Sequence, residues 1–297
     1  MKYLVTGGTG FIGGTIAREL SAQGSEVLVT GLEDKQIPRG AQYLGADFAN
    51  LDWDKLGKLD ALFHQAANND TTSTDHVAMF KSNVDDSKKL FEAATNYGCA
   101  KIVYASSTAV YGNSPAPQRE DGPLQPLNVY AESKIAQDKF AMEFARAHPQ
   151  VLVVGLRYCN IYGSGEKRKG RRATMIPQLA MQMQTGRPKI FKDGEQQRDY
   201  LYVKDAVRAN LLALQAPQSL ILNCGFGRAT SFNDLVKVLN SILGTAWEPE
   251  YIDNPYAAHY QNHTECDMAL AREKISFVPE FDIERGIRDY HRNGELV

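Results

Sequence analysis

A glycine cluster near the N-terminus constrains the fold of this chain more strongly than any other feature. Gly7, Gly10 and Gly13 lie between the apolar run 3–5 and an amphipathic helical pattern that ends before Gly24. Glycines spaced in this way permit a tight turn, close approach of a pyrophosphate, and close packing of a helix on a strand. Free N–H groups at the start of that helix favour bound phosphate. The pattern predicts a dinucleotide cradle, and its expected contacts are Gly7, Gly10, Phe11, Ile12 and Gly13.

Strand patterns alternate with helical patterns through the first half of the chain. The expected strands are 3–5, 26–30, 61–63, 102–104 and 151–156, and the expected helices include 11–20, 85–94 and 129–146. Such alternation predicts an α/β fold with a Rossmann-type doubly wound parallel sheet. The alternation stops after Tyr158, and a basic loop is expected at 163–172. We expect a Rossmann domain at 1–160, to which 198–224 returns, and a smaller, mainly C-terminal substrate domain at 161–297.

Composition excludes several classes of protein. Hydrophobic residues make up 43% of the 297 residues, which excludes a mainly disordered chain. The 33 basic and 35 acidic residues give a formal charge of −2, so no basic excess favours a nucleic-acid partner. The chain lacks an apolar run of the ~18 residues that a membrane helix needs. The four cysteines lack CxxC spacing, which argues against a metal site and a disulfide framework. We expect a cytoplasmic protein with reduced thiols.

A second group of residues is suited to proton transfer. Tyr130 and Lys134 are four residues apart in one helical pattern and therefore share a face. A free phenol has a pKa near ~10. A nearby ammonium and a cationic nicotinamide ring would both lower it, which makes Tyr130 a candidate general base. Ser107 follows a strand pattern and is a candidate hydrogen-bond donor to the same substrate oxygen. Taken singly, a chance helical pair and a turn serine are the alternatives.

The end of the second strand bears on the choice of cofactor. An acid at this point would bind the ribose 2′-hydroxyl of NAD, but the strand ends at Thr30. A 2′-phosphate meets less repulsion there, and Lys35 or Arg39 could reach it, so the cofactor is NADP or NAD with NADP favoured. Solvated loop charges are the alternative. Asp47 is a candidate acceptor for the adenine amino group, or else part of a surface turn. The expected cofactor contacts on this side are Thr30, Lys35, Asp47 and Phe48.

Together these motifs resemble the extended short-chain dehydrogenase/reductase superfamily, in its NAD(P)-dependent nucleotide-sugar epimerase/dehydratase branch. The resemblance covers essentially the whole chain. It includes segment 157–163, Arg-Tyr-Cys-Asn-Ile-Tyr-Gly, which is similar to the family's Arg-Tyr-Phe-Asn-Val-Tyr-Gly, and segment 198–203. It implies a nucleotide-diphosphate sugar as substrate and a homodimer. It also implies a catalytic triad of Ser107, Tyr130 and Lys134.

The same resemblance assigns further residues. Cofactor-side positions are matched by Ala66, Ala67, Asn83 and Lys134. Asn160 matches the asparagine that contacts substrate, and Arg198 matches an arginine that can hold a substrate phosphate. Cys159 departs from the pattern, because the family has an aromatic residue at this position.

The resemblance also narrows the reaction to epimerisation through a transient keto sugar. Dehydratases and decarboxylases of the branch carry an acid where this chain has Thr108-Ala109. Segments 83–90, 166–171 and 227–232 are similar to the ADP-glycero-manno-heptose 6-epimerase family. There the lysine that matches Lys169 is a second base, although an exposed loop cation is the alternative here. The expected substrate contacts are Ser107, Thr108, Asn160, Lys169, Arg198 and Tyr260. The rival interpretations are a UDP-hexose 4-epimerase and a non-catalytic NADP-binding regulator.

Overall fold

The computed structural model describes residues 1–32, 36–255 and 260–297, so Lys35 lies outside the described residues. The strands in chain order are β1 (Lys2–Thr6), β2 (Glu26–Val29), β3 (Gln42–Tyr43), β4 (Ala61–His64), β5 (Lys101–Ser107), β6 (Leu152–Tyr158), β7 (Asn160–Tyr162), β8 (Lys189–Phe191), β9 (Gln197–Tyr202), β10 (Leu220–Cys224), β11 (Ala229–Ser231), β12 (Glu250–Ile252) and β13 (His263–Thr264). The α-helices are α1 (Phe11–Ala22), α2 (Trp53–Leu56), α3 (His76–Phe80), α4 (Asp86–Asn96), α5 (Val129–Ala147), α6 (Met175–Met183), α7 (Val203–Ala213), α8 (Phe232–Leu243), α9 (Ala269–Ile275) and α10 (Ile283–Arg292).

Seven strands form one parallel sheet in the order β10-β6-β5-β4-β1-β2-β3. The central strand β4 is buried along its whole length, as is typical of parallel strands covered on both faces. From β1, the chain first adds β2 and β3 on one side, and it then adds β4, β5, β6 and β10 on the other side. The direction in which strands are added therefore reverses between β1 and β4. This is the arrangement of a Rossmann-type sheet, and the predicted fold class is confirmed.

Helices cover both faces of this sheet. On one face Ile16 and Leu20 of α1 belong to an apolar cluster with Val5 of β1. On the other face Phe91 of α4 and Phe144 of α5 belong to a second cluster under the sheet. The sheet is therefore doubly wound, with each face buried by an amphipathic layer. Within the described residues, no helix is long and apolar enough to cross a membrane.

Two smaller sheets lie beyond the large one. One contains β11, β9 and β13, with β7 also paired to β9, and the other pairs β12 with β8. Of the segment 198–224, β10 lies in the large sheet beside β6, whereas β9 lies in the smaller one. Because β6 and β7 are consecutive in the chain, residues that leave the large sheet after Tyr158 enter the smaller sheet at once.

Candidate active site

The strand order of the large sheet reverses between β1 and β4, and an open α/β sheet has a crevice at such a point. Ligands of open α/β sheets bind outside the carboxyl ends of the strands at such a point. The residues that follow these ends are Gly7 after β1, Gln65 after β4 and Thr108 after β5. All three predicted groups of site residues, namely the glycine cluster, Ala66-Ala67 and Ser107, therefore come to one edge of the sheet.

The turn after β1 has the geometry that a dinucleotide cradle requires. Gly7 has a φ of +65°, and a Cβ there would lie 2.9 Å from the backbone nitrogen of Ala66. A Cβ on Gly13 would overlap the Gly7 carbonyl, so a side chain at either position would push apart the strand, the helix or the loop after β4. Gly10 precedes α1, and in the part of the chain that the structure describes no side chain caps this helix. Its first N–H groups remain available, so the turn fits a pyrophosphate.

Further glycines, outside the predicted set of Gly7, Gly10 and Gly13, support this turn. A Cβ on Gly8 would lie 2.6 Å from the Val29 side chain, and one on Gly14 would lie 3.1 Å from the Gly8 carbonyl. A Cβ on Gly31 would overlap the Thr9 side chain. The doubling of glycine at 7–8 and again at 13–14 is the signal that could have indicated this close packing.

Backbone contacts surround the tip of β2, where Thr30 is buried. The N–H of Thr30 donates to the Val5 carbonyl over 3.2 Å, and its own carbonyl accepts from Gly8 over 2.8 Å. The Tyr43 hydroxyl donates to the Gly31 carbonyl over 3.0 Å. Thr30 therefore stands at the predicted place beside the cradle, without an acidic side chain at the strand end.

Asp47 and Phe48 lie in a short 3-10 turn, Phe48–Asn50, after β3. An oxygen of the exposed Asp47 carboxylate accepts from the N–H of Ala49 over 3.0 Å. The Phe48 ring packs on the buried His64 with centroids 5.1 Å apart. Asp47 thus lies in a surface turn after β3, and adenine binding at this carboxylate stays a prediction.

Asn83 lies in a π-helical turn, Lys81–Asp85, that joins α3 to α4. Its Oδ1 accepts from the N–H of Asn68 over 2.8 Å, and its Nδ2 donates to the Asn68 carbonyl and to Ser133 Oγ, each over 2.9 Å. These contacts hold the loop after β4, which carries residues 66–67, against α5. Asn83 is buried and is therefore placed to position this loop. Single π-helical turns are frequent at functional sites.

Ser107, Tyr130 and Lys134 come together at the carboxyl end of β5. Ser107 is the last residue of β5, and the other two lie in the first turns of α5. That helix begins at a cap in which Asn128 Oδ1 accepts from the N–H of Ala131 over 2.9 Å. Ser107 hydrogen-bonds the Tyr130 hydroxyl. Lys134 Nζ lies 5.8 Å from the centre of the Tyr130 ring.

Burial raises the pKa of Tyr130 in the protein alone. The hydrogen bond to Ser107 lowers this pKa and the carboxylate of Asp138 raises it, with burial the largest effect. The sequence-based expectation of a lowered pKa is therefore not met by the protein's own groups. A base at Tyr130 needs an additional positive charge near the phenol, such as a bound cationic ring.

Lys134 is fully buried beside this tyrosine. Its Nζ donates to the Ala105 carbonyl over 2.9 Å and to Gln137 Oε1 over 3.0 Å. Burial lowers the pKa of Lys134 to about 8, although the carboxylate of Asp138 opposes the shift. The ammonium is thus fixed in place and loses its proton more readily than an exposed lysine.

This buried ammonium predicts a pH-dependent stability. The folded-state pKa of Lys134 is about 8, whereas an unfolded lysine has a pKa near ~10.4. Between these values the unfolded chain binds more protons, so the free energy of unfolding should rise with pH. Relative to Lys134→Met, we expect wild type to gain about 2 to 3 kcal/mol from pH 7 to pH 10. Urea unfolding at both pH values measures this gain. The exposed Lys139→Met should track wild type, and equal pH responses of wild type and Lys134→Met would contradict the prediction.

The sequence matches the model of the NAD dependent epimerase/dehydratase family over residues 3–225. The matched span contains the glycine turn and the three residues at the end of β5. The chain belongs to the NAD-dependent epimerase/dehydratase family. The family resemblance predicted from the sequence is confirmed.

Individual members of the epimerase/dehydratase family show the same likeness over full length. The chain is 35% identical to ADP-L-glycero-D-manno-heptose-6-epimerase of Alkalilimnicola ehrlichii, over 97% of this chain and 95% of the relative. The crystal structure of that enzyme from Helicobacter pylori is 34% identical, with a TM-score of 0.89 over 100% of this chain and 96% of the other. UDP-glucose 4-epimerase of Thermotoga maritima, crystallised with UDP-glucose, is 29% identical with a TM-score of 0.89 over 99% of both chains.

Three of the predicted substrate-binding residues lie around β9. They are Asn160, Arg198 and Tyr260. Asn160 Nδ2 donates to the carbonyl of Asp199 over 2.9 Å. The guanidinium carbon of Arg198 lies 4.9 Å from the centre of the Tyr260 ring. Arg198 Nη1 donates to the Asn262 carbonyl over 3.2 Å, which leaves other donors of its guanidinium for a ligand. The structure thus brings Arg198 and Tyr260 into contact. Asn160 is hydrogen-bonded to Asp199, the residue that follows Arg198.

Thr108 differs from these residues in its surroundings. It follows Ser107 at the end of β5 and is buried. Its hydroxyl donates to the Tyr158 carbonyl over 3.1 Å, so this proton is used inside the protein. A substrate can meet Thr108 only through the remaining lone pairs of that hydroxyl or through its backbone.

The basic segment expected as a loop instead forms short 3-10 turns over Glu166–Arg172, with a left-handed break at Gly170, whose φ is 54°. These turns form because Glu166 is buried inside them. Its carboxylate accepts from the N–H of Thr174 over 2.6 Å and from the N–H of Gly163 over 3.4 Å. The basic loop predicted at 163–172 includes this acid, and its composition does not indicate the anchoring role of Glu166.

Lys169 is half-buried on this segment, next to the cradle. Its Nζ lies 5.7 Å from the ring centre of Phe11, which with Ile12 forms the first turn of α1. Nearby, Arg172 Nη1 donates to Asn69 Oδ1 over 2.7 Å, in the loop after β4. Burial lowers the pKa of Lys169, although the Glu166 carboxylate opposes the shift. The segment therefore reaches from α1 to the loop after β4 and places one partly desolvated amine at the crevice.

Proposed function

We propose that this protein is an NAD(P)-dependent nucleotide-sugar epimerase that acts on an ADP-heptose or a close analogue. The observation that carries the proposal is the contact of Ser107, Tyr130 and Lys134 at the strand ends beside an open glycine cradle. Its support includes relatives about one third identical that carry the name ADP-L-glycero-D-manno-heptose-6-epimerase. A regulator that only binds the dinucleotide would not need a buried lysine beside a tyrosine at that edge.

The residues divide the chemistry among them. A bound NAD(P) supplies reversible hydride exchange with a sugar carbon, which passes through a keto sugar. Tyr130 takes the hydroxyl proton of that carbon, and Ser107 hydrogen-bonds the same oxygen. Lys134 keeps a positive charge next to the phenol and supports its ionised form. Inversion requires the keto sugar to present its other face before hydride returns to the carbon, and Tyr130 or Lys169 would then give the proton back to the oxygen.

The cofactor is proposed to be NADP in preference to NAD. The tip of β2 carries Thr30 and Gly31 in place of an acid, and Glu33 and Asp34 follow only later in the sequence, so a 2′-phosphate meets less repulsion at the tip. Fluorescence titration with NADP⁺ and NAD⁺ tests this choice. Tighter binding of NAD⁺ would overturn it without affecting the proposed reaction.

The proposed division of labour follows the two regions of the chain. Residues 1–160 bind the dinucleotide, and 161–297 provide most of the contacts to the nucleotide-diphosphate sugar. The resemblance to short-chain dehydrogenases supports a homodimer, and the balanced charge and the cysteine pattern of the sequence support a cytoplasmic protein. Sedimentation of the full chain tests the dimer, for which a mass of 65.8 kDa is expected from the 32.9 kDa chain (2 × 32.9).

A screen of nucleotide sugars tests the reaction itself. Incubation with ADP-heptose, UDP-hexoses and GDP-hexoses, followed by proton NMR, should show inversion of one centre in the ADP-heptose with no net accumulation of reduced cofactor. Inversion of UDP-glucose at carbon 4 instead would favour the second candidate, which the likeness to the Thermotoga maritima enzyme supports. Cofactor binding with no change in any sugar would favour a regulator and contradict the proposal.

Replacement of Lys169 by alanine tests the second base. We expect turnover to fall by about 10²-fold, because removal of a positioned acid or base typically costs this much. Lys167→Ala is the matched control, since Lys167 belongs to the same 3-10 segment but is exposed. Equal turnover of the two variants in the NMR assay would show that inversion uses Tyr130 alone.

A further inference from the structure

Three side chains outside the proposed catalytic residues converge at one point. The sulfurs of Cys159 and Cys266 lie 2.7 Å apart, although 107 positions separate them in the chain. The Cys159 thiol also hydrogen-bonds the carboxylate of Asp199. A Cβ on Gly225 would lie 2.7 Å from the Cys159 sulfur, 3.0 Å from the Cys266 sulfur and 2.6 Å from Asp199 Oδ2. Only a glycine at 225 leaves room for this cluster.

We propose that Cys159 and Cys266 form a reversible disulfide when the protein meets a peroxide. An S–S bond is ~2.05 Å long, so the two sulfurs need to approach by only about 0.7 Å. Both backbones are already fixed at this separation. The N–H of Cys159 donates to the Cys224 carbonyl over 3.0 Å, and the N–H of Cys266 donates to Asp199 Oδ2 over 3.1 Å.

Hydrogen bonds on both sides of Cys266 hold its segment in register. The N–H of Gln118 donates to the Glu265 carbonyl over 2.7 Å, and the N–H of Asp267 donates to the Gln118 carbonyl over 2.8 Å. The new bond would therefore form between two segments that are already docked. It would join the residue before β7 to the residues after β13, two strands that pair with successive stretches of β9.

A metal ion fits this cluster less well than a disulfide does. Two thiolates that share a tetrahedral zinc at ~2.3 Å each must lie about 3.8 Å apart. The carboxylate of Asp199 is also occupied, because Oδ1 accepts from the N–H of Phe226 over 2.7 Å and Oδ2 accepts from the N–H of Gly227 over 3.0 Å. Among the residues that the structure describes, Asp199 is the third potential ligand of this group, and its carboxylate is already engaged by these N–H groups.

The oxidation balances with one peroxide molecule. Cys159, the half-buried member of the pair, attacks the peroxide O–O bond, and its proton passes to the Asp199 carboxylate and then to the departing hydroxide as water. Sulfur is oxidised to a sulfenic acid in this step. The buried Cys266 then attacks that sulfur, and its proton leaves with the hydroxyl group as a second water. Overall, two thiols and one hydrogen peroxide give one disulfide and two waters.

The disulfide has a physical consequence that can be measured without an activity assay. It would close a loop of 107 positions in the unfolded chain, which lowers the conformational entropy of the unfolded state. The oxidised protein should therefore unfold at a temperature about 5 °C or more above that of the reduced protein. A thiol reductant should reverse the difference.

Peptide mapping of the full chain after treatment with hydrogen peroxide is the direct test. We expect a linked pair of peptides that contain residues 159 and 266, two mass units lighter than the sum of the reduced peptides, and loss of two of the four titratable thiols. Absence of this linked pair when thiols have been lost, or a link through Cys224 instead, would overturn the proposal. This readout is independent of turnover, so it can fail while the proposed function stands.

Three variants sharpen the test. Cys266→Ser should abolish both the linked peptide and the thermal shift. Gly225→Ala keeps both thiols but adds a methyl group between them, and it should slow the linkage. Cys99→Ser is the matched control, because Cys99 is buried in the apolar cluster on the opposite face of the large sheet. Retention of the thermal shift in Cys266→Ser, or its loss in Cys99→Ser, would also overturn the proposal.

Discussion

Replacement of Tyr130 by phenylalanine is expected to lower turnover by about 10²-fold or more. The change removes the hydroxyl that Ser107 hydrogen-bonds and keeps the ring beside Lys134. Since no charge is introduced and no cavity larger than one oxygen is created, the fold and the affinity for NAD(P) should be retained. The measurement is kcat by NMR on the sugar that the screen identifies, together with the Kd for NADP⁺ on the same sample.

Tyr97→Phe is the matched control for this result. Tyr97 is exposed, and its hydroxyl donates to Asp54 over 2.6 Å at the end of α4, away from the crevice. It should keep wild-type turnover. Full turnover in Tyr130→Phe would remove the phenol from the chemistry and leave Ser107 or Lys169 as the proton acceptor.

Replacement of Asp138 by leucine is expected to lower the free energy of unfolding by about 3 to 5 kcal/mol. The Asp138 carboxylate accepts from Arg157 Nε over 2.9 Å and from the Tyr104 hydroxyl over 2.9 Å. The side chains of Asp138 and Arg157 are each only 4% exposed. Leucine would leave the guanidinium buried without its counter-ion, and urea unfolding measures the cost. The change should also lower the pKa of Lys134, which the Asp138 charge holds up.

Two comparisons identify the origin of this loss. Glu143→Leu alters an exposed acid on the same helix and should change the free energy of unfolding by less than about 0.5 kcal/mol. The double variant Asp138→Leu with Arg157→Met removes both charges and should recover part of the loss. A double variant that is no more stable than Asp138→Leu alone would show that packing, and not the unpaired charge, sets the cost.

Local backbone constraints explain why the cradle could be predicted from the sequence. The requirement for glycine at Gly7 and Gly13 arises within one strand-turn-helix unit, so spacing along the chain carries the information. The same holds for Tyr130 and Lys134, which are one helical turn apart. The cap of α8 is also local, because Ser231 accepts from the N–H of Asp234, three residues later, over 3.0 Å.

Contacts between distant segments could not be predicted in this way. The four cysteines show no spacing signal, yet Cys159 and Cys266 meet because β7 and β13 both pair with β9. Glu166 is buried because the chain turns around it, so that its carboxylate accepts from the N–H of Thr174. The basic residues beside it in the sequence do not indicate this turn. The burial that raises the pKa of Tyr130 likewise depends on packing between segments, which the sequence does not state.

The π-helical turn at Lys81–Asp85 also sets the rotational phase of the helix that follows it. One extra residue in a helix turns all later side chains by about 100° relative to an uninterrupted α-helix. Asn83 lies within this π-helical turn and makes hydrogen bonds to Asn68 on one side and to Ser133 on the other. A return of the same residues to regular α-helical winding would turn the side chains of α4 toward different neighbours. The π-helical turn therefore lets one helical segment contact both the loop after β4 and α5, the helix that carries Tyr130.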